Sequence, residues 1–162
     1  MSGRPKLSIA TQAFKRVYDD IGKDVPSVGT LIGGKVDYNI NTLTPAQGRF
    51  ENACAIRMSY VLNESGFKIS YQRGKTVSGK NGNWYLYKVE DMKKHLRDTL
   101  GKPDMDISNP KETDFNKKKG ILVFDVSWSD ATGHATIWNG TSCSDKCYFP
   151  KASRAYLWVL KN

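Results

Sequence analysis

The chain has 162 residues, 39% of them hydrophobic and 25% charged, which is ordinary for one folded domain with a buried core. No stretch approaches the roughly 20 apolar residues of a membrane-spanning helix, and the basic N-terminal segment lacks the apolar run of a signal peptide. We therefore expect one domain over residues 1–162, made in the cytoplasm as a soluble protein. The net charge of +9 predicts attraction to polyanions, which include nucleic acid and acidic cell-wall polymers.

Helical hydrophobic spacing dominates the first part of the chain, and strand-like patterns dominate the last part. Three helices are predicted, over residues 7–21, 53–63 and 89–100. Four strands are predicted, at residues 67–71, 120–126, 134–138 and 155–160. Helices followed by strands favour the α+β class with an antiparallel sheet.

Cys54 lies near the predicted start of the second helix, and Asn52 is its predicted N-cap. Backbone N–H groups in a first helical turn stabilise a thiolate, and they can also bind the oxyanion of a tetrahedral intermediate. The polar segment 37–50, predicted as a surface loop, leaves the sulfur accessible. Cys54 is therefore a candidate nucleophile, with its own N–H and the Asn52 side chain as candidate oxyanion donors. The alternative is a small buried hydrophobic residue on an amphipathic helix.

Arg57 follows Cys54 by one helical turn. It is predicted either to meet a carboxylate of the substrate or to be an ordinary surface charge.

His134 stands at the predicted start of a strand, and an Asn-Gly pair at 139–140 gives a strong turn signal after it. A base fixed at the end of a strand can meet the N-terminus of a helix, so His134 is the candidate base for Cys54. The turn returns the next segment beside the histidine, where Asp145 can orient the imidazole. Asp130 is the competing acid, and a structural histidine with a solvated Asp145 is the alternative to both roles.

Cys143 and Cys147 bracket Asp145, and Cys54 remains a lone thiol if those two cysteines pair. A disulfide across this loop would hold Asp145 in place, and it would persist in an oxidising compartment. The competing interpretation is a zinc site that uses His134, both loop cysteines and Cys54, although Cys-x3-Cys spacing without a second pair has little specificity.

Four motifs occur along the chain in a specific order. They are VGTLIGG at 28–34, FENACAIRMSYVLN at 50–63, GHATIWNG at 133–140 and CSDKC at 143–147. From about residue 10 to the C-terminus the chain resembles the fourth family of type VI secretion amidase effectors, which are papain-like cysteine peptidases of the NlpC type.

The resemblance implies a papain-like fold with Cys54 as nucleophile, His134 as base and Asp145 as the orienting acid. It implies cleavage of the bond between the D-glutamate γ-carboxyl and meso-diaminopimelate in peptidoglycan stem peptides. The toxin would be injected by the type VI secretion machinery, act in the periplasm of rival Gram-negative bacteria, and be neutralised by a cognate immunity protein. An oxidised pair at Cys143 and Cys147 suits that compartment. No cofactor, metal, nucleic acid or membrane partner is expected.

Two other functions compete with this interpretation. One is a housekeeping or phage-type cell-wall cysteine amidase, the first of which would need a signal peptide. The other is a basic protein without catalysis that binds nucleic acid or a protein partner. The basic residues are scattered and form no nucleic-acid-binding motif, which disfavours nucleic acid as the ligand.

Overall fold

Within residues 3–126 and 133–162, which a computed structural model describes, the chain forms five α-helices and six β-strands. The helices are α1 (Leu7–Val17), α2 (Val25–Ile32), α3 (Gly34–Asp37), α4 (Cys54–Glu64) and α5 (Val89–Leu100). The strands are β1 (Thr76–Ser78), β2 (Trp84–Leu86), β3 (Met105–Ser108), β4 (Gly120–Asp125), β5 (Gly133–Trp138) and β6 (Arg154–Val159). None of the described helices is long and apolar enough to cross a membrane.

The two sheets of the described chain are antiparallel throughout. β1 and β2 form a hairpin, and the larger sheet has the strand order β3-β6-β4-β5. One face of the larger sheet packs on α1, α4 and α5, and its opposite face packs on Phe115, Phe149 and the loop that carries Cys143 and Cys147. The predicted α+β class with an antiparallel sheet is therefore confirmed.

Helix α4 lies at the centre of the molecule, because almost every side of it is covered. It packs between α1, α5, β5 and the β1–β2 hairpin, and Ile56, Met58 and Val61 are fully buried. Two polar side chains of α4 attach the hairpin: Ser59 Oγ accepts from the Leu86 N–H at 2.9 Å, and Asn63 Nδ2 donates to the Trp84 carbonyl at 2.9 Å. The predicted amphipathic helix is thus a buried helix whose N-terminus is held in a fixed place.

Three predicted elements differ in the structure. The helix over 7–21 ends at Val17, and a 3₁₀ turn at Asp19–Ile21 replaces its last turn. The predicted loop over 37–50 contains a π-helical turn at Tyr38–Thr42 and a 3₁₀ turn at Pro45–Gln47. The predicted strand at 67–71 is absent from the described structure.

A hydrogen bond to a side chain, and not pairing with another strand, holds the segment 67–71 in place. The backbone N–H of Ile69 donates to Asn63 Oδ1 at 2.8 Å, and the Ile69 side chain is buried in the core beneath α4. Its apolar pattern therefore reflects packing against a helix, which a sequence pattern does not distinguish from pairing in a sheet.

Candidate active site

Cys54 is the first residue of α4, at the positive end of the helix dipole. It is only 6% exposed, and it opens on a cavity of about 240 Å³ that His134 and Asp145 also line. The predicted placement of Cys54 in the first turn of a helix is therefore confirmed, and its role as nucleophile stays a prediction.

The N-cap of α4 is Ala53, so the prediction that Asn52 occupies this position is wrong by one residue. The Asn52 side chain still serves the helix start, because its Oδ1 accepts a hydrogen bond from the Cys54 N–H at 2.8 Å. The Cys54 N–H, which was the predicted oxyanion donor, is therefore already bonded. Asn52 is one of the residues that line this cavity, and its Nδ2 forms no hydrogen bond within the described residues.

His134 is the second residue of β5 and lies opposite Phe124 of β4 in the sheet register. Its Nδ1 lies 2.7 Å from Cys54 Sγ. Gly133 allows this strand pair to begin, because a Cβ there would stand 2.5 Å from the Phe124 carbonyl oxygen. A glycine before the histidine is therefore required by the close approach of the two backbones.

Asp145 lies behind the histidine, with its carboxylate 3.0 Å from His134 Nε2. The segment after β5 returns as predicted: Trp138 forms a bridge with Cys143, and the Ser144 N–H donates to the Ile137 carbonyl at 2.8 Å. The competing acid, Asp130, falls outside the described residues.

The loop around Asp145 is closed by a disulfide between Cys143 and Cys147, as one of the two sequence interpretations predicted. The zinc alternative needs thiolates at both positions, and the disulfide removes them. Within residues 3–126 and 133–162, no group of three or more His, Cys, Asp or Glu side chains could hold a metal ion.

The protonation of His134 beside Cys54 results from opposing effects on the pKa of its imidazole. Burial acts to lower the pKa of His134, but hydrogen bonds to Asp145 and Cys54, and their negative charges, raise this pKa to about 10. The imidazole is therefore an imidazolium at neutral pH, held between the carboxylate and the sulfur. An adjacent imidazolium is the general means by which proteins activate a cysteine nucleophile.

Sequence reasoning did not find the aromatic residues around this site. The ring of Tyr148 meets the His134 ring edge-on at 4.7 Å between centroids, and Phe124 stacks on the same ring at 6.4 Å. Tyr148 directly follows Cys147, so the disulfide loop positions both the acid and this ring. The position of Tyr148 directly after Cys147 was the one feature of the sequence that could have indicated its place at this site.

Arg57 is not the surface charge that one interpretation predicted. It is 7% exposed, its guanidinium lies 4.9 Å from the centroid of the Tyr18 ring, and it lines the cavity next to Cys54.

A cysteine at the start of a central helix, an imidazole on an antiparallel strand and a carboxylate behind that imidazole define the class of papain-like cysteine hydrolases. Sequence comparison then gives the particular family. The model of type VI secretion system (T6SS) amidase effector protein 4, Tae4, matches residues 50–158. The chain belongs to this family, which confirms the resemblance seen in its four motifs.

Solved structures agree with the family assignment. Tae4 in its complex with Tai4 from Salmonella Typhimurium is 43% identical, with a TM-score of 0.85 over 98% of this chain and 99% of that chain. Tae4 from Enterobacter cloacae is 40% identical, with a TM-score of 0.85 over 99% of this chain and 100% of that chain. A search of curated proteins found no match.

The family also decides between the competing functions. The chain is a peptidoglycan amidase of the type VI secretion effectors, a family delivered into target cells. This assignment replaces both the housekeeping or phage-type amidase and the binding protein without catalysis.

Proposed function

We propose that this amidase hydrolyses the amide bond between the D-glutamate γ-carboxyl and meso-diaminopimelate in peptidoglycan stem peptides, in the periplasm of rival Gram-negative bacteria. One observation carries the mechanism: a single imidazolium lies 2.7 Å from the Cys54 sulfur and 3.0 Å from the Asp145 carboxylate. The four sequence motifs that resemble the family support the choice of bond. The catalytic unit in this proposal is one domain over residues 1–162.

Hydrolysis proceeds in two acyl-transfer steps. The Cys54 thiolate attacks the carbonyl carbon, and the C–N bond of the tetrahedral intermediate breaks as His134 Nδ1 donates its proton to the departing amine. His134 then takes a proton from water, and the hydroxide attacks the thioester. The thiolate leaves, and the product carries a free carboxylate. Asp145 keeps Nε2 protonated and the ring oriented in both steps.

The oxyanion of the intermediate needs donors on the cavity side of Cys54. The Asn52 side chain is oriented by the bond that its Oδ1 accepts from the Cys54 N–H. Its Nδ2 is then the first donor available to the oxyanion.

The disulfide and the relatives support the place of action and the partner. A Cys143–Cys147 disulfide is stable in the periplasm and is not maintained in a reducing cytoplasm. The Salmonella Typhimurium and Enterobacter cloacae relatives were crystallised as complexes of the effector Tae4 with the immunity protein Tai4. We therefore propose that a cognate immunity protein also binds this chain.

Digestion of purified peptidoglycan that contains meso-diaminopimelate tests the proposal. Mass spectrometry of the products should find muropeptides that end in D-glutamate, with the matching fragments that begin at diaminopimelate. Products cut at another bond would refute the proposed cleavage site.

A Cys54→Ala variant tests the nucleophile in the same assay. We expect kcat to fall by roughly 10⁴-fold or more, because loss of a nucleophile removes the covalent route. Thermal unfolding should show that the variant stays folded. Full activity in this variant would exclude Cys54 as the nucleophile while leaving the cleavage site open.

A further inference from the structure

Arg57 is a buried cation with unused hydrogen-bonding capacity. It is 7% exposed, and its Nε is enclosed and has no hydrogen-bond partner within the described residues. The guanidinium lies 4.9 Å from the centroid of the Tyr18 ring, so its flat face is covered by an aromatic surface. Arg57 also lines the cavity into which Cys54 opens.

The acidic side chains of that cavity are already engaged elsewhere. Glu51 pairs with Arg49 at 3.5 Å, and Asp145 pairs with His134 at 3.0 Å. Among residues 3–126 and 133–162, no carboxylate lies within 4.0 Å of the Arg57 guanidinium. Burial of a charge without a counter-charge is costly. The arrangement is therefore suited to an anion that enters the cavity with the substrate.

The position of Arg57 indicates which anion this is. Arg57 is three residues after Cys54 on α4, and side chains at this spacing are neighbours on one helix face, with Cβ atoms about 5–6 Å apart. In a γ-linked D-glutamate, only Cα, Cβ and Cγ separate the scissile carbonyl carbon from the free α-carboxylate. We therefore expect the α-carboxylate to reach Arg57 when Cys54 attacks that carbonyl.

We propose that Arg57 binds the free α-carboxylate of the D-glutamate on the acyl side of the scissile bond, and that it selects stem peptides in which this carboxylate is not amidated. The inference rests on the proposed cleavage site. A guanidinium is suited to the task, because its fork of donors matches both oxygens of a carboxylate, whereas a carboxamide offers one acceptor and no charge.

Two tripeptides test the selectivity of the wild-type enzyme: L-alanyl-γ-D-glutamyl-meso-diaminopimelate, and its analogue with D-isoglutamine in place of D-glutamate. They differ only in amidation of the α-carboxylate. We expect kcat/KM for the amidated peptide to be lower by about 10²-fold, as for loss of a buried, charge-assisted pair. Equal kcat/KM values for the two peptides would overturn the inference without any variant.

An Arg57→Met variant then assigns the selectivity to the side chain. It keeps the length of the apolar stem and removes the guanidinium. We expect kcat/KM to fall about 10²-fold for the D-glutamate peptide and to change little for the amidated peptide, so that selectivity disappears. An Arg57→Lys variant should retain part of the selectivity, because it keeps the charge and loses the fork.

Lys23→Met provides the matched control. Lys23 lines the same cavity and lies over the same Tyr18 ring, but its side chain is 62% exposed. We expect this variant to keep the wild-type selectivity. Thermal unfolding and the rate of Cys54 alkylation by iodoacetamide report whether each variant keeps its fold and its nucleophile.

The outcomes separate the two proposals. An equal loss on both peptides in Arg57→Met, with normal alkylation, would show that Arg57 does not read the α-carboxylate. Cleavage of these peptides by the wild-type enzyme at a bond other than the D-glutamyl bond would refute the proposed cleavage site, whatever the behaviour of Arg57.

Discussion

His134 shows how a single residue acquires its chemistry from its neighbours. An imidazole that is 3% exposed should lose its proton easily, since burial acts to lower its pKa. Hydrogen bonds from both sides reverse that tendency and raise the pKa to about 10. The site therefore stores the proton that the leaving amine needs. Neither the residue type nor its place in the sequence contains this information.

An Asp145→Asn variant should reveal this dependence in the pH profile. Asparagine keeps an oxygen that can accept from Nε2 but removes the negative charge that raises the pKa of His134. The alkaline limb of kcat/KM should lie near pH 10 in the wild type and move to lower pH in the variant, because the imidazolium then loses its proton earlier. An unshifted limb would show that another group controls it.

Two substitutions of Asn52 distinguish a positioning role of its side chain from a catalytic one. An Asn52→Ala variant should lose about 10²-fold in kcat with little change in KM, as for removal of one oxyanion donor. Asn52→Asp is the informative comparison, because it retains the acceptor for the Cys54 N–H and lacks the Nδ2 donor. If Asn52→Asp kept wild-type kcat, the role of Asn52 would be only to hold the start of α4.

At the scale of elements, the site is assembled from the ends of two well-buried units and one short loop. Helix α4 presents its first residue, β5 presents its second residue, and the loop after β5 brings Asp145 back. The helix and strand are rigid because their sides are packed. The loop depends on the disulfide and on the bonds that return it to β5.

A double variant, Cys143→Ser with Cys147→Ser, should show what the disulfide contributes. Chain entropy predicts a loss of only about 2 kcal/mol in the free energy of unfolding for so short a loop. We expect the relative decrease in kcat/KM to be larger than the relative decrease in the free energy of unfolding. Without the disulfide, Asp145 and Tyr148 are no longer held against the imidazole. Reduction of the wild type should reproduce the result. Unchanged kcat/KM in both samples would show that the loop is positioned without the bond.

At the scale of the whole molecule, we expect the net charge of +9 to affect binding to the cell-wall polymer more than the rate of bond cleavage. Salt weakens the attraction between exposed basic side chains and an anionic cell wall. The Debye length, over which such charges interact, falls from about 10 Å at 0.1 M to about 3 Å at 1 M. The buried site is screened far less. Charge should therefore influence how the enzyme reaches its substrate and not how fast the bond breaks.

Hydrolysis of intact sacculi should consequently fall several-fold when salt is raised from about 0.05 M to about 0.5 M. The kcat for a soluble tripeptide should change less than about twofold under the same conditions. Parallel assays on the two substrates provide the comparison. Equal salt dependence on both would place the charge effect inside the active site.

The local sequence was sufficient to predict those features of this protein that depend on interactions between residues close in sequence. Helix α5 has the predicted bounds, β4 and β5 lie within a residue of theirs, and the turn after β5 returns Asp145 to His134. Hydrophobic spacing and turn residues determine such features over short stretches of chain. The family motifs added the predicted reaction, because they contain the predicted nucleophile, base and acid in order.

Only the tertiary structure decided the rest, because those features depend on residues that are distant in sequence. Whether 67–71 forms a strand depended on Asn63 of α4, and whether Arg57 is exposed depended on Tyr18 of the segment after α1. The Cys54 and His134 pair is the extreme case: 80 positions separate the two residues, and the packing of α4 against β5 brings Sγ and Nδ1 to 2.7 Å. The sequence identified the groups, and the packing of distant elements set their distances, their burial and their protonation.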